Sequence, residues 1–401
     1  MQVEQPNTRP YSTTWILLLA LLTALGPLSI DMYLPALPEM AHTFGVSTQM
    51  IANTLPAYFL GLAIGQLIYG PVSDRVGRKI PLYFGLGLYS LASLLCAYVD
   101  NEWALIAARI FQALGGCVGV VIARATIRDR LDLQDAAQAF SSMMIVMGLA
   151  PILAPIIGAW ILHFFAWQAI FICLAMIGVL CGLCVYFFFQ ESLPKVRRLK
   201  LSVHQVITLY AAILKDQSFR TPMLAGCFTG ATLFAYISSA AVVFMGQYGL
   251  SQQQFSYAFA LNAGGIMLMS SMNKYLNRKM GVFQRLYLGG CLQGSGALLI
   301  VVISLWAHTP LWLLMIGLFL AVSGIGLTGP NAMALAMSKQ GARAGTASAI
   351  MGSMQYACGL VGGVILNFLI WKASLNMGLV MLLFMSLGFF AIVIIKRQQT
   401  N

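Results

Sequence analysis

The sequence predicts an all-α integral membrane protein in which twelve transmembrane helices form two pseudo-symmetric six-helix bundles. Three observations support this fold class: the composition, the length of the apolar runs and the distribution of positive charge. Of the 401 residues, 60% are hydrophobic and only 8% are charged, whereas soluble domains are about half apolar and roughly 25% charged. Because backbone polar groups in hydrocarbon must bond within their own segment, repeated long apolar runs indicate a helical bundle.

Twelve apolar runs approach or exceed the ~20 residues that a helix needs to cross a bilayer. The first run could be mistaken for a signal peptide, but it is too long, carries a charged residue near its far end and lacks a small-residue cleavage site. We therefore expect an uncleaved first helix. The runs lie at residues 15–37, 50–70, 80–99, 103–123, 138–161, 167–189, 221–244, 253–273, 284–306, 310–332, 345–370 and 375–395.

Positive charge is distributed unevenly across the predicted membrane. With twelve spans, 21 of the 23 Lys and Arg residues fall on one side, and the exceptions are Arg109 inside a span and Lys372 in an opposite loop. This asymmetry follows the positive-inside rule and predicts that both termini lie in the cytoplasm. A nucleic-acid-binding protein would instead show a contiguous basic patch on a soluble face, so we expect no nucleic-acid partner.

The chain divides into two halves at its longest polar interruption. Residues 190–220 form a basic cytoplasmic linker between an amino-terminal bundle, 1–189, and a carboxyl-terminal bundle, 221–401. The stretch GPVSDRVGRK at 70–79 has an echo, SSMNKYLNRK, at 270–279, and both follow the second span of their half. This position indicates duplication, and internal repeats are typical of transporters that rock about a midplane site.

Two charged residues fall inside the predicted spans, and all eleven acidic residues lie at or before Asp216. A charge at the centre of a span costs roughly 2.5–3.5 kcal/mol, so Asp31 and Arg109 are candidate functional residues. Both are predicted ~6–8 Å from the span centre towards the outer side, where they would couple directly or through substrate. Asp31 would take up a proton facing outward and release it inward. The alternative is that Asp31 only caps an outer loop near Pro35 and Glu39.

The charged stretch at 70–79 is predicted to be a conformational latch. A cytoplasmic turn requires glycine and basic residues but no aspartate, so Asp74 is expected to meet a positive partner in one conformation only. The candidates are Arg124 and the start of the eleventh helix near 342–349, because helix N-termini attract anions. The alternative is a solvated turn. The predicted latch residues are Gly70, Asp74, Arg75, Gly77, Arg78, Lys79 and Arg124.

Small residues, prolines and polar side chains mark further positions inside the spans. In the fifth span, glycines permit close helix approach and prolines loosen the backbone, although ordinary membrane packing explains them as well; these residues are Gly148, Pro151, Pro155 and Gly158. A second set would line a cavity or form interhelical hydrogen bonds, since buried amides prefer a bundle interior. This second set is Tyr33, Tyr58, Gln112, Tyr236, Asn262, Gln293, Asn331 and Gln355.

Catalytic and metal-binding functions find no support in the sequence. The eight cysteines lie in apolar spans, and Cys181 and Cys184, although spaced C-x-x-C, are expected to be packing residues. The four histidines lie in loops or at span ends and form no metal-ligand or nucleophile constellation, and no phosphate-binding loop of an ATPase is present. We expect no metal, no cofactor and no enzymatic activity.

Several motifs resemble those of a known family. YGPVSDRVGRK resembles the loop between helices two and three of the major facilitator superfamily. PLSIDMYLPALP at 27–38 and AGTASA at 344–349 are similar to the bicyclomycin/chloramphenicol resistance branch of its drug:proton antiporters. RIFQALGG, which begins at Arg109, resembles the fourth-helix motif of that branch.

The fifth helix also resembles the antiporter motif of the family, in the stretch GLAPILAPIIGAW at 148–160. Ala154 and Ala159 stand where many members have glycine. The resemblance implies the fold of the superfamily and export of small molecules in exchange for protons, with the proton gradient as the energy source. It also implies a monomer in the lipid bilayer of a bacterial inner membrane. Two cargoes remain open: drugs such as bicyclomycin- or chloramphenicol-like antibiotics, or a small metabolite such as a nucleoside, sugar or amino acid.

Overall fold

The computed structural model describes residues 13–131, 133–198, 202–306 and 308–400, so Arg9 and the rest of the first twelve residues lie outside it. Throughout these ranges the regular secondary structure is helical. The long helices are α1 (Thr13–Asp31), α2 (Thr54–Val76), α3 (Lys79–Tyr98), α4 (Glu102–Arg130), α5 (Leu133–Phe164), α6 (Gln168–Phe188), α7 (Gln217–Ala241), α8 (Gln252–Leu276), α9 (Val282–Ser304), α10 (Leu311–Met337, with a break at Gly324), α11 (Ala344–Leu366) and α12 (Ala373–Thr400).

Eleven segments in the described part of the chain are long and apolar enough to cross a membrane. The eighth predicted span, 253–273, corresponds to α8, a 25-residue helix that is not among the eleven. The reason is composition, because Asn262 and several serines and glycines lower its apolarity. α8 packs against α5 and α10 rather than standing apart from the bundle.

Two helices differ in extent from their predicted spans. α1 ends at Asp31, and the chain continues through a 3₁₀ turn, Leu34–Ala36, into a short helix, Leu37–Phe44. The predicted span 15–37 lies within one apolar segment, Trp15–Phe44, and its helix is interrupted near Pro35 because the proline ring removes a backbone donor. α4 is longer than predicted and continues to Arg130, so Arg124 lies within the helix.

The helices of each half pack mainly on one another. In the first half α4 lies against α2 and α3, and α3 lies against α6; in the second half α10 contacts α8 and α9, and α9 contacts α12. Glycines allow the closest approaches. A β-carbon on Gly115 of α4 would collide with the backbone of Tyr89 in α3, and one on Gly296 of α9 would collide with the backbone of Ala321 in α10.

The two halves meet along two helix pairs, α2 with α11 and α5 with α8. On the first pair, the Ser353 hydroxyl donates to the carbonyl of Ala63 at 2.8 Å. At one end of this pair, the amide of Asn367 donates to Asn53 Oδ1 at 2.6 Å. The boundary between the halves therefore includes polar contacts.

The linker also contacts both halves. A capping box at Ser202 starts a helix, Val203–Lys215, whose Tyr210 hydroxyl donates to the carbonyl of Leu67 in α2 at 2.9 Å. Burial raises the pKa of Tyr210 to about 12, so this hydroxyl keeps its proton. Asp216 then caps the N-terminus of α7 and accepts a hydrogen bond from Gln340 at 2.9 Å. The linker therefore ties α2 to the loop that follows α10.

Candidate functional site

Asp31 is the last residue of α1, and only 3% of its surface is exposed. Its Oδ1 atom is buried and has no hydrogen-bond partner in the described part of the chain. A carboxylate held out of water normally requires a cation or several donors to compensate its charge. The surroundings of Asp31 supply neither, so this side chain is suited to carrying a proton or to receiving one from a ligand.

Arg109 lies on α4 and is completely buried. Its guanidinium donates to Gln112 Oε1 at 2.5 Å and to the backbone carbonyl of Ser29 at 2.9 Å. The guanidinium carbon also lies 4.3 Å from the ring centroid of Tyr33 and 4.2 Å from that of Tyr58. Such cation–π contacts contribute about 2 kcal/mol when desolvated. Ring faces and neutral oxygens therefore hold this cation in place.

The structure does not form the direct Asp31–Arg109 ion pair that the sequence suggested. Arg109 instead bonds the carbonyl of Ser29, two residues before Asp31 in the same helix. Gln112 and the carbonyl of Ser29, both neutral, accept hydrogen bonds from this guanidinium, while its Nε atom is buried without a partner in the described residues. Coupling of Asp31 to Arg109 through a bound substrate stays a prediction.

Three of the predicted cavity residues surround this arginine. The Tyr33 hydroxyl is 2.9 Å from the hydroxyl of Thr54, and the Gln112 amide donates to Ser93 Oγ at 2.8 Å. The ring of Tyr58, which belongs to α2, also lies against the guanidinium. These contacts tie α1, α2, α3 and α4 together, so the buried cation is part of the packing of the first half.

Two further predicted residues, Tyr236 and Asn262, lie in the second half on the side of Asp31. The Asn262 amide of α8 donates to the Tyr236 hydroxyl of α7 at 3.0 Å, and the Tyr236 ring stacks on Phe259 with centroids 5.3 Å apart. The phenol of Tyr236 interacts electrostatically with Asp31. Asn262 Oδ1 is buried without a partner in the described residues. Two unpartnered acceptor oxygens therefore lie on opposite sides of the boundary between the halves.

The remaining three predicted cavity residues have other positions. Gln293 bonds Thr232 at 3.0 Å and Thr328 at 2.8 Å, inside the second half. Asn331 of α10 donates to Asn273 Oδ1 of α8 at 2.9 Å. Both amides therefore form interhelical hydrogen bonds, which was the alternative to lining a cavity, and a cavity role stays a prediction. Gln355 is half-buried on α11 and lies against Gly230 of α7.

An aromatic cluster that no sequence pattern predicts lies at the boundary between the halves. Phe59 of α2 and Phe234 of α7 have ring centroids 4.7 Å apart, and Tyr356 of α11 lies 5.4 Å from Phe234. Gln66 of α2, also unpredicted, is buried against Gly352 of α11. With 23 phenylalanines in the chain, no spacing pattern distinguishes these rings from ordinary lipid-facing ones.

At the end of the first half where α2 is followed by α3, Arg78 joins the ends of three helices. Its Nη1 donates to Asp74 Oδ1 and to Ser73 Oγ, both at 2.6 Å, and its Nε donates to Asp129 Oδ2 of α4 at 2.9 Å. Arg78 is 3% exposed. Burial lowers its pKa, but hydrogen bonds and charge from Asp129 and Asp74 outweigh burial and raise the pKa overall. We call this group the α2–α4 corner.

The chain after α6 completes this corner through Glu191. Its carboxylate accepts from the backbone N–H of Arg78 at 2.9 Å and of Lys79 at 3.2 Å. Gly77 has φ of 98°, and a β-carbon there would lie 2.6 Å from both Glu191 Oε2 and the Arg198 guanidinium. Both the backbone conformation and the space therefore require glycine at position 77.

The predicted cross-half pairing of Asp74 is absent from this structure. The carboxylate pairs with Arg78 in its own half, and among the described residues Arg124 interacts electrostatically with Tyr356 rather than with Asp74. The start of α11 instead packs against Arg128, because a β-carbon on Gly345 would touch that guanidinium. Of the other predicted latch residues, Gly70 has open space, Arg75 is exposed and Lys79 lies over the Tyr83 ring.

The fifth helix contacts both halves through its predicted residues. A β-carbon on Gly158 would collide with the backbone carbonyl of Met32, so α5 approaches α1 closely there. The carbonyl of Pro155 accepts from Ser256 of α8 at 2.9 Å, and Gly148 lies against Met267 of α8. α5 continues through Pro151 and Pro155 without a break. The eight cysteines are all free, as expected.

The echo of the charged stretch is offset from its predicted register. Arg278 and Lys279 were aligned with Arg78 and Lys79, yet Arg278 is exposed and Arg285, in the first turn of α9, is the buried arginine. Its guanidinium donates to Asn273 at 2.9 Å and to Asn277 at 2.7 Å. The reason is a longer connection between α8 and α9 than between α2 and α3. We call this group the α8–α10 corner.

Comparison with known proteins agrees with this fold. Residues 19–363 match the family described as Major Facilitator Superfamily. Over its fold the chain is similar to the crystal structure of the human organic anion transporter MFSD10 (TETRAN), with a TM-score of 0.71, 16% identity, and coverage of 96% of this chain and 99% of that one.

Curated relatives have similar lengths. The chain is 36% identical to the uncharacterized MFS-type transporter YdgK of Bacillus subtilis over 357 residues, with 86% of each chain covered. It is 30% identical to the bicyclomycin resistance protein homolog of Haemophilus influenzae, with 89% of each covered. It is 29% identical to the multidrug resistance protein MdtL of a Shewanella species, with 83% of each covered.

Proposed function

Because this chain belongs to the major facilitator superfamily, we propose that it is a proton-coupled exporter of small-molecule drugs that works by alternating access. The names of its bicyclomycin-resistance and multidrug-resistance relatives favour antibiotics as cargo. We further propose that α8 also crosses the membrane, which brings the number of spans to twelve. Bundles 1–189 and 221–401 would then rock about the linker 190–220. The protein would be a monomer in a bacterial inner membrane, with both termini in the cytoplasm.

The observation that carries this proposal is the state of Asp31. It is a buried carboxyl group with an unpartnered oxygen, and it lies at the boundary where Tyr236 and Asn262 approach from the other half. Intramembrane ionisable residues of transporters mark ion and substrate pathways. A group in this position senses whether the halves are apart or together, since their separation decides how much water reaches it.

The chemistry follows from competition for Asp31. When water from the outer side reaches the carboxyl group, it takes up a proton and releases cargo that had bonded to it. When the cytoplasmic side opens, the proton leaves and the carboxylate accepts a new cargo molecule. Arg109 holds the adjacent carbonyl of Ser29 through both steps, because its own partners are neutral. The proton gradient thereby drives export.

The α2–α4 corner would report the conformation. In the state described here Asp74 bonds Arg78. We propose that in the alternate state Asp74 exchanges this partner for Arg124 or for the N-terminus of α11. Asp74 is suited to such an exchange because its side chain is 39% exposed, while Asp129 keeps Arg78 satisfied at 2.9 Å.

The test is transport in proteoliposomes with an imposed pH gradient. Asp31→Asn should abolish gradient-driven export and weaken cargo binding, since an amide can neither exchange a proton nor offer cargo a carboxylate. Asp100→Asn removes an exposed carboxylate and serves as the matched control, with transport unchanged. Unaltered pH-driven export by Asp31→Asn would contradict the proposed coupling.

A compound panel in the same assay separates the two cargo classes. Bicyclomycin- and chloramphenicol-like compounds form one arm, and nucleosides, sugars and amino acids form the other. The metabolite hypothesis predicts export of one member of the second arm and no response to the first. A protonophore should abolish export in either case.

A further inference from the structure

A groove between α9 and α12 runs along the lipid-facing surface of the second half. Its volume is about 720 Å³, which falls within the range of about 300–1,000 Å³ typical of pockets for small organic ligands. We call it the α9–α12 groove. The residues that line it include Gly290, Cys291, Gly294, Met385, Phe389 and Arg397.

Glycine on α9 keeps this groove open. A β-carbon on Gly294 would meet only Met385, at 3.6 Å, so a larger side chain at this position would extend into the groove. A β-carbon on Gly290 would lie 3.0 Å from Ile392, which means that the two helices are close at the floor. Cys291 and Phe390 are exposed on the same surface, so the groove opens towards the bilayer.

The length of the groove matches one leaflet of the membrane. On α12 its lining runs from Leu382 to Arg397, a distance of about 22 Å at 1.5 Å per residue. One leaflet, with its headgroup region, contributes about half of the ~40–45 Å bilayer, or about 20–22 Å. With the termini in the cytoplasm, the groove therefore begins near the midplane and ends at the level of the cytoplasmic headgroups.

The positive charge of the second half favours an anionic ligand in the groove. Residues 217–401 contain ten basic residues and no acidic residue, and Arg397 lies at the cytoplasmic end of the groove. Basic pockets between transmembrane helices on the cytoplasmic side bind anionic lipid headgroups. No carboxylate of this half can repel such a headgroup.

We propose that the α9–α12 groove binds one anionic phospholipid of the cytoplasmic leaflet, with an acyl chain over Cys291 and Gly294 and its phosphate at Arg397. The site is separate from the transport pathway, because its walls belong to α9 and α12 and include neither Asp31 nor Arg109. The proposal does not depend on the nature of the cargo or on proton coupling.

The test measures lipid retention by the full chain in detergent, using native mass spectrometry. The probes are phosphatidylglycerol and phosphatidylcholine with identical acyl chains. We expect phosphatidylglycerol to be retained about fivefold better, since one basic residue at the headgroup level contributes about 1 kcal/mol. Arg397→Gln should remove this preference, whereas the neighbouring Lys396→Gln, which does not line the groove, should keep it.

Position is tested with a phosphatidylglycerol that carries a photoreactive acyl chain. Crosslinks should fall in α9 and α12 and disappear in Gly294→Leu, while Gly87→Leu, at an open and exposed glycine of α3, should leave them unchanged. If Gly294→Leu does not fold, the Arg397→Gln and Lys396→Gln pair decides. Equal retention of both lipids by the wild type would overturn the proposal, as would crosslinks elsewhere or a dimer that Gly294→Leu makes monomeric.

Discussion

The α2–α4 corner and the α8–α10 corner both bury an arginine, but the groups that bond the two arginines differ in charge. In the α2–α4 corner, Arg78 is buried and bonded to the carboxylates of Asp74 and Asp129. In the α8–α10 corner, Arg285 is equally buried, at 5% exposure, but is bonded to the amides of Asn273 and Asn277. In each corner a guanidinium joins the end of one helix to the start of the next.

The difference teaches what charge adds to this arrangement. Amide oxygens satisfy the donors of a guanidinium but leave its positive charge uncompensated, whereas carboxylates do both. The first 216 residues hold 13 basic and all eleven acidic residues, and the remainder holds ten basic residues and no acidic one. The first half therefore has ion pairs that can break and re-form, and the second half has a fixed positive surface.

The largest expected effect comes from removing each arginine in turn. Arg78→Gln leaves two carboxylates facing each other and should destabilise the protein by about 3 kcal/mol, the lower end of the range for broken buried pairs because Asp74 is partly exposed. Arg285→Gln leaves only neutral amides and should cost about 1–2 kcal/mol. Thermal unfolding in detergent, followed by size-exclusion chromatography, measures the order of the two variants.

A second arginine pair controls for loss of surface charge. Arg75 and Arg278 are exposed in the equivalent loops, so Arg75→Gln and Arg278→Gln should change the melting temperature little. An equal loss of stability in Arg78→Gln and Arg285→Gln would show that the carboxylates add nothing beyond the amides.

The turn between the helices should show the next largest effect. Gly77→Ala forces a side chain onto a residue with φ of 98° and against Glu191 and Arg198, which should cost about 1–3 kcal/mol. Asn277→Ala in the other half removes one hydrogen bond to Arg285 and should cost about 1 kcal/mol. The same unfolding assay compares them, and a Gly77→Ala variant as stable as wild type would contradict the strain argument.

Much of the fold could be predicted because lipid imposes strong rules on sequence. Apolar runs gave eleven segments that the structure confirms as long apolar helices. The exception is α8, where Asn262 lies among serines and glycines. Hydropathy identifies helices that face lipid, and it is weakest for a helix such as α8, whose Ser256 bonds the opposite half and whose Asn262 bonds α7 within its own half.

The candidate site was predictable only in part, for a related reason. Asp31 and Arg109 were identified because charge is rare in spans, yet their partners were not, since Ser29 contributes a backbone carbonyl that no sequence pattern marks. Arg285 was missed because it lies seven residues beyond the repeated stretch's Arg278. A repeat predicts the order of the helices, but the length of the loop decides which arginine reaches the corner and donates hydrogen bonds there.

Adding a carboxylate to the second half should have a smaller and opposite effect. Asn273 Oδ1 accepts from both Arg285 and Asn331, so Asn273→Asp retains both acceptors and adds a charge-assisted bond. We expect stabilisation of about 1 kcal/mol. Ser338→Asp, an exposed site at the end of α10, adds the same charge without reaching Arg285. A gain shared by both variants would point to net charge rather than to pairing.

The smallest expected effect is the pH dependence of the first half. Burial raises the pKa of Glu191, but hydrogen bonds from the backbone N–H groups of Arg78, Leu193 and Lys79, together with the charge of Arg198, lower it overall. Its stabilisation is therefore present above the unfolded pKa, about 4.3, and is lost as pH falls through the folded pKa. Glu191→Gln should melt below wild type at pH 7, by less than about 1 kcal/mol because the group is partly exposed, and the gap should narrow as pH falls below about 4.3 and close below the folded pKa. The deficit of Arg285→Gln should stay constant over the same range, since neither an amide nor arginine titrates there; a Glu191→Gln deficit that also stays constant would mean that the charge of the carboxylate does not contribute.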